Sequence, residues 1–336
     1  MQKTALSPKL PRKTYSISRE LEKTRPQSSL EADKLKSPRL ADALLVQSRV
    51  LKTVCDYMYE KGAVQLLPVV VSPVTDPLAH TVVQASIDYY GQKLQLTKSM
   101  ILHKQVALMS PHLSAVYIVS PNVRLETEDL KESDRHLIEF TQVDFEFTHG
   151  SKEKLLAFVE ELMARIVSDV KRDCREQLVR LGRFESLHVP KTPFARFEMK
   201  QVVPKYGASP RDAEAHLSGS EPQMFWLLGH VREFYDREEP KGHFHNYDLI
   251  LPEGYGEVAS GAEREHEYAK IEAKMAERGQ KPEEFGLFSE LARQGLLSRT
   301  VGAGFGVERL VRWLCGIREI ADVSPFAKKP GHKYVL

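Results

Sequence analysis

The sequence predicts an α+β fold, a mixed and mostly antiparallel sheet flanked by helices, and three observations carry that expectation. Gln142, Asp144 and Glu146 alternate with Val143, Phe145 and Phe147, so residues 140–147 read as a strand with one charged and one apolar face. A polar loop over 127–134 joins it to a buried apolar run at 116–119, which makes a strand–loop–strand hairpin. Leu155, Val159, Leu162, Ile166 and Val170 recur at helical spacing, so residues 153–182 read as a long amphipathic helix.

The remaining elements follow in chain order. Residues 1–40 are basic, dotted with Ser and Pro and poor in apolar periodicity, and read as a mobile tail. Leu44, Leu45, Val50, Leu51, Val54 and Met58 predict a helix over 40–60, closed by Lys61-Gly62. The nearly all-apolar run 64–71 predicts a doubly covered strand, ended by Pro73 and Pro77 with Asp76 in the turn between them. Tyr90-Gly91-Gln92 divides a hairpin over 82–96, and 99–109 reads as a short helix. Residues 183–230 give scattered short strands and little else. Tyr247, Leu249 and Leu251 alternate with Asp248 and Ile250, a strand that turns at Pro-Glu-Gly into a second strand, 256–260, broken at Gly261. Helices are expected from about 262 to 278 and over 286–297. The glycine-rich 301–306, VGAGFG, reads as a strand feeding a helix from Val307 to about Gly316.

The chain has 336 residues, 42% hydrophobic and 28% charged, enough for one large domain or two small ones with a sizeable core. The net charge of +2 excludes a uniformly basic nucleic-acid binder; the first forty residues hold ten Lys/Arg against four Asp/Glu, a net +6, which leaves −4 elsewhere. Cys55, Cys174 and Cys315 form no CxxC pair, which argues for a reducing compartment and against disulfides or a zinc site. No apolar run has membrane-spanning length, and no secretory segment is visible. The expected location is cytoplasmic. A mitochondrial address is left open by the acid-free first nineteen residues, although Pro8 and Pro11 spoil an amphipathic helix there.

Three constellations carry chemistry. Arg124 and Glu126 stand across a loop from His136 and Phe140, a strand pair suited to a nucleotide, with Arg124 on the α-phosphate, His136 on a distal phosphate and Phe140 against the base. Gly302, Gly304 and Gly306 let the backbone approach a ligand, and Arg309 lies in the first turn of the next helix, where phosphate is favoured. Asp248, Glu257 and Arg264 sit on or beside strand ends. The two carboxylates suit Mg2+ carrying nucleotide phosphates, and the guanidinium suits a substrate carboxylate. The dinucleotide and GKS-type phosphate fingerprints are absent.

In order along the chain, these pieces resemble the catalytic core of the class II aminoacyl-tRNA synthetases, in the aspartyl/asparaginyl branch. The helix to Glu60 and the strand to Pro73 resemble the dimer-forming motif 1. VRLETEDLKESDRHLIEFTQVDFEF resembles motif 2, GAGFGVERLVRWLCGIREIADVSPF resembles motif 3, and NYDLILPEGYGEVASGAERE resembles the substrate segment. The resemblance implies a catalytic domain over 41–336 and a homodimer. It also implies that Arg124 and Arg309 hold ATP, that Phe140 stacks the adenine and that Asp248 and Glu257 carry Mg2+. Lys104 and Arg264 would read an aspartate carboxylate, with Ser260 beside the site.

Departures set the functional expectation. A forty-residue Pro/Ser-dotted tail cannot build the anticodon-reading barrel of that branch. The chain reads Ser99-Met100-Ile101 where that branch places a Gln, and SPVTDPL after motif 1. These features resemble the archaeal-type asparagine synthetase related to this branch. The resemblance implies that aspartate is adenylated and passed to ammonia, and the missing barrel argues against tRNA as a partner. Ammonium must lose a proton to become nucleophilic, and Asp76, in the altered turn, is the candidate base. Two alternatives stand beside it: an adenylate-forming ligase joining aspartate or a similar acid to another amine, and a non-catalytic tRNA-synthetase paralogue.

Overall fold

The computed structural model describes residues 27–207 and 209–334. The first helix among the described residues, α1 (Gln27–Leu35), lies inside the stretch expected to be a mobile tail, and α2 (Pro38–Glu60) begins two residues before the apolar periodicity does. Proline at the N-terminus of α2 explains the early start, because its fixed φ suits a first helical turn. Residues 1–26, the rest of that expected tail, lie outside the described residues.

The run after α2 is not a covered strand. It gives two residues of β1 (Val64–Gln65) and two of β2 (Val71–Ser72), with Leu67 86% exposed between them. Pro68 interrupts the run and has no N–H to donate to a ladder. The next hairpin, β3 (Ser86–Tyr89) and β4 (Gln92–Leu96), forms as expected, with Tyr90 and Gly91 both at positive φ in its two-residue turn. Then come α3 (Ile101–Ala107), β5 (Ala115–Val123), β6 (Glu139–Thr148), α4 (Lys152–Asp173) and the short α5 (Arg175–Arg180).

Between 183 and 230 the structure holds more helix than the sequence reading found. It contains β7 (Ala195–Glu198), α6 (Met199–Tyr206), α7 (Pro210–Ser220) and β8 (Phe225–Leu228). The substrate segment forms β9 (Asn246–Leu251) and β10 (Gly256–Glu263). β10 runs through Gly261 instead of breaking there. A side chain at Gly261 would collide with Gly302 O and the Tyr247 ring, so the glycine permits close strand packing. The chain finishes with α8 (Tyr268–Glu277), α9 (Gly286–Arg293), β11 (Thr300–Gly306) and α10 (Val307–Leu314).

Eight strands form one sheet in the order β1-β5-β6-β11-β10-β9-β8-β7. The outer pairs β1–β5 and β7–β8 are parallel, and every pair between them is antiparallel. β2, β4 and β3 make a second, small sheet. Alternation divides the large sheet into two faces. Val143 and Phe145, Tyr247 and Leu249, and Ala303 and Phe305 point to one face, where α2, α4 and α10 cover them in the main core. The opposite residues, among them Gln142, Asp144, Asp248 and Gly304, line a cleft on the other face.

Candidate active site

The cleft is a cavity of about 680 Å³, and the sheet supplies its floor. Gly302 and Gly304 of β11 lie beside Glu146 and Asp144 of β6, with register pairs Gly302–Glu146 and Gly304–Asp144. A Cβ on either glycine would overlap the neighbouring carboxylate, so the glycines are where the acidic side chains fold across the floor.

At the inner end Lys104 and Arg264 meet. Lys104 is 1% exposed, and its Nζ donates to Asp144 Oδ1 at 3.0 Å, Ala303 O at 3.2 Å and Phe145 O at 3.3 Å. Glu146 Oε2 lies 3.5 Å away. Arg264, 4% exposed, donates from Nε to Glu146 Oε1 at 3.1 Å, from Nη2 to Gly302 O at 3.2 Å and from Nη1 to Asp236 Oδ1 at 3.2 Å. Burial opposes its charge, but Glu146 and Asp236 overcome that and raise its pKa. The two cations expected to read a carboxylate are therefore held together through Glu146 and balanced by three acids of the chain itself. Asp144 lines the cavity, and its Oδ2 is buried with no hydrogen-bond partner among the described residues.

Asp76 lies at this end too, but its carboxylate already accepts Ser99 Oγ at 2.7 Å, Tyr235 OH at 2.9 Å and the Leu78 N–H at 3.0 Å. It fastens the β2–β3 connection to the floor. Glu233 lies near it. Burial, with Asp76 and Asp236 nearby, pushes its carboxyl up to about 7.

Midway along, Arg232 holds both Ser260 Oγ and Asp248 Oδ2, and His230 Nε2 is 3.1 Å from Asp248 Oδ2. Asp248 Oδ1 is buried without a partner. At the outer end Arg124 lies over the Phe140 ring, 5.2 Å from its centroid, and donates from Nε to Lys98 O at 3.1 Å. Arg309 donates from Nη1 to Glu257 O at 3.1 Å and from Nε to Arg135 O at 3.3 Å. Burial disfavours a charged Glu257, yet Arg309, Arg232, Arg135 and Arg124 together hold its carboxyl at about 2. Burial, reinforced by Arg309 and Arg135, pushes His136 down to about 3, so its imidazole is neutral at pH 7. Glu126 is paired with His80, its carboxylate 3.0 Å from Nε2.

Every site residue expected from the sequence lines this cavity. The sequence reading assigned no role to Arg135, Glu214, Arg232, Glu233 or Asp236. Asp144 and Glu146 were visible as a charged strand face, without a function.

The sequence matches the family described as tRNA synthetases class II (D, K and N) over residues 27–330. It is 28% identical over 311 residues to the aspartate–tRNA(Asp/Asn) ligase of Methanothermobacter thermautotrophicus, covering 88% of this chain and 68% of that protein. It is 24% identical over 318 residues to the asparagine–tRNA ligase of Thermococcus kodakarensis, covering 89% of this chain and 72% of that one. The fold superposes on asparaginyl-tRNA synthetase from Pyrococcus horikoshii complexed with asparaginyl-adenylate, with a TM-score of 0.81 at 22% identity over 93% of this chain and 75% of that one.

These relatives are tRNA ligases, and they overturn two expectations: ammonia-dependent asparagine synthesis, and the exclusion of tRNA as a partner. One departure that suggested them has a packing explanation. Ile101 is buried in an apolar cluster with Leu102, Phe234 and Tyr235.

Proposed function

The chain belongs to the class II tRNA synthetases (D, K and N), and from that premise we propose that it is an ATP-dependent ligase activating aspartate or asparagine as the aminoacyl adenylate, with tRNA as the acceptor. The observation that carries this reading is that one cavity is lined by two clusters: Arg124 over Phe140 with Arg309 on Glu257, and Lys104 with Arg264 joined through Glu146 and Asp144.

In this reading Phe140 stacks the adenine, and Arg124 and Arg309 bear on the triphosphate, where charge builds in the transition state. A carboxylate oxygen of the amino acid attacks the α-phosphorus. An acyl–phosphate bond forms, the α–β anhydride bond breaks, and pyrophosphate leaves with the electron pair. The free Asp144 Oδ2 is the acceptor available to the substrate ammonium. The paired Lys104 and Arg264 present donors beside acceptors, a wall suited to a side-chain amide or acid. Asp248 Oδ1, buried and unpartnered, and the ionised Glu257 are oxygen donors that suit Mg2+, whose part when bound is to neutralise phosphate charge. The neutral His136 and the Glu126–His80 pair border the phosphate end.

The exposed apolar side chains after α2 and on the β3–β4 hairpin, Leu67, Val70, Val71 and Ile87, support a homodimer through that face. Pyrophosphate exchange into ATP, run with aspartate and with asparagine and followed by transfer to bulk tRNA, tests the function. Exchange dependent on either amino acid supports it, and none with either removes it.

A further inference from the structure

We propose that Glu214, on α7 between the two nucleotide-binding segments, is a positioning residue for the distal phosphates of the nucleotide, acting by holding Arg135 in place; the inference rests on the nucleotide reading of the cavity.

Arg135 lies in the loop between β5 and β6, 79 residues from Glu214. Its Nη1 donates to Glu214 Oε1 at 2.7 Å. The same oxygen accepts the backbone N–H of Glu257 at 3.0 Å. One carboxylate thus ties the β5–β6 loop to the start of β10, and α7 carries it. Gly256 makes the junction possible. It sits at φ +76°, and a Cβ there would overlap Arg135 Nη1 and crowd Glu214 Oε1. The other end of Arg135 is fixed as well, since its carbonyl accepts Arg309 Nε at 3.3 Å.

Arg135 is therefore anchored by backbone and side chain, beside Arg309 and the neutral His136. Among the described residues Glu214 is the one hydrogen-bond partner of its guanidinium, so Nε and Nη2 remain for an anion. Two cationic side chains and an uncharged imidazole at the mouth of the cavity suit the β- and γ-phosphates, the part of ATP that AMP lacks. A carboxylate that fixes the fork of an arginine removes its freedom before the ligand arrives, so less order is lost on binding.

A purely structural role for Glu214, fastening α7 to the sheet, makes a different prediction. It would weaken the fold without discriminating between nucleotides. Calorimetric titration of the full chain with ATP and with AMP separates the two. Glu214→Ala is expected to weaken ATP binding about tenfold, the size of one charge-assisted hydrogen bond, while AMP binding stays within twofold. Glu214→Gln, which keeps an acceptor for the Glu257 N–H but no charge for Arg135, is expected to fall between Glu214→Ala and the parent. In the Arg135→Ala background, Glu214→Ala is expected to add nothing, because the two act through one contact. Unchanged ATP binding in Glu214→Ala, equal losses for ATP and AMP, or additive losses in the double variant would each overturn the inference. No ATP binding by the parent chain would instead remove the nucleotide reading itself.

Discussion

Arg264 Nε lies 3.1 Å from Glu146 Oε1, and 118 residues of chain separate them. The contact makes Arg264 part of the floor of the site as well as part of its chemistry. Removing it takes the guanidinium from Glu146 and Asp236, leaving the first to Lys104 and Thr300 and the second to the Asn246 amide, and breaking a buried ion pair from one side is expensive. Arg264→Ala is therefore expected to lower unfolding stability by about 3–5 kcal/mol and to abolish amino-acid-dependent exchange. Urea unfolding beside the exchange assay reads both. Full stability would show that the carboxylates find other partners.

The glycine face of β11 makes a separate demand. A methyl group at Gly304 would occupy the space of Asp144 Oδ1, which Lys104 holds at 3.0 Å. Gly304→Ala is expected to cost about 1–3 kcal/mol from overpacking and to raise the KM for the amino acid more than that for ATP. Equal changes in the two constants would mean that the strand as a whole has shifted.

Periodicity made parts of this architecture legible. β6 was readable because one of its faces is apolar and the other charged, β9 because Tyr247, Leu249 and Leu251 alternate along it, and α4 because five apolar positions recur along one stripe. The strand expected at 64–71 failed because apolar residues there face outward on either side of Pro68. α6 and α7 were missed although α7 opens on a readable signal, Ser209-Pro210, whose Ser209 Oγ accepts the Asp212 N–H at 3.2 Å. Pro204 inside α6 masked the helical pattern before it. In the site, Arg124, Arg264, Arg309 and Phe140 were legible from their motifs. Their partners were not. Glu146 with Arg264, and Arg135 with Glu214, are pairs between distant segments, and no local spacing encodes them.

The outward-facing apolar run has a consequence for assembly. Leu67 is 86% exposed and Val70 50% exposed, and exposed apolar side chains gain from burial against a second surface. Sedimentation velocity is expected to report a dimer, and Leu67→Asp is expected to shift it toward monomer. A monomeric parent protein at micromolar concentration would exclude this interface.

His136 sets the acid side of the stability curve. Its folded pKa is about 3, below the unfolded value near 6.5. Between those limits the unfolded chain binds a proton that the folded chain refuses. Its contribution is complete above pH 6.5 and is lost as pH falls toward 3. Glu257, held at about 2, adds a second loss below pH 4.5. His136→Asn is expected to flatten the slope between pH 6.5 and 4.5 in urea midpoints; an unchanged slope would place the proton uptake elsewhere.

Glu233 works in the opposite sense. Its folded pKa of about 7 lies above the ordinary carboxylate value of 4.5, because burial and the neighbouring Asp76 and Asp236 disfavour a further negative charge. Between pH 4.5 and 7 the folded state keeps a proton that the unfolded state has released, so stability falls as pH rises through that window, and the cost is complete above it. Glutamine has the shape of the protonated acid and no charge. Glu233→Gln is thus expected to raise the melting temperature at pH 8 and leave it unchanged at pH 4. The same substitution separates this effect from ligand binding. If the cavity takes a substrate ammonium at Asp144, removing one nearby negative charge should raise the KM for the amino acid modestly at pH 8, where Glu233 is ionised, and leave it unaltered at pH 6, where it is largely protonated. A melting temperature equally shifted at pH 4 and pH 8 would mean that the substitution changes packing instead of charge.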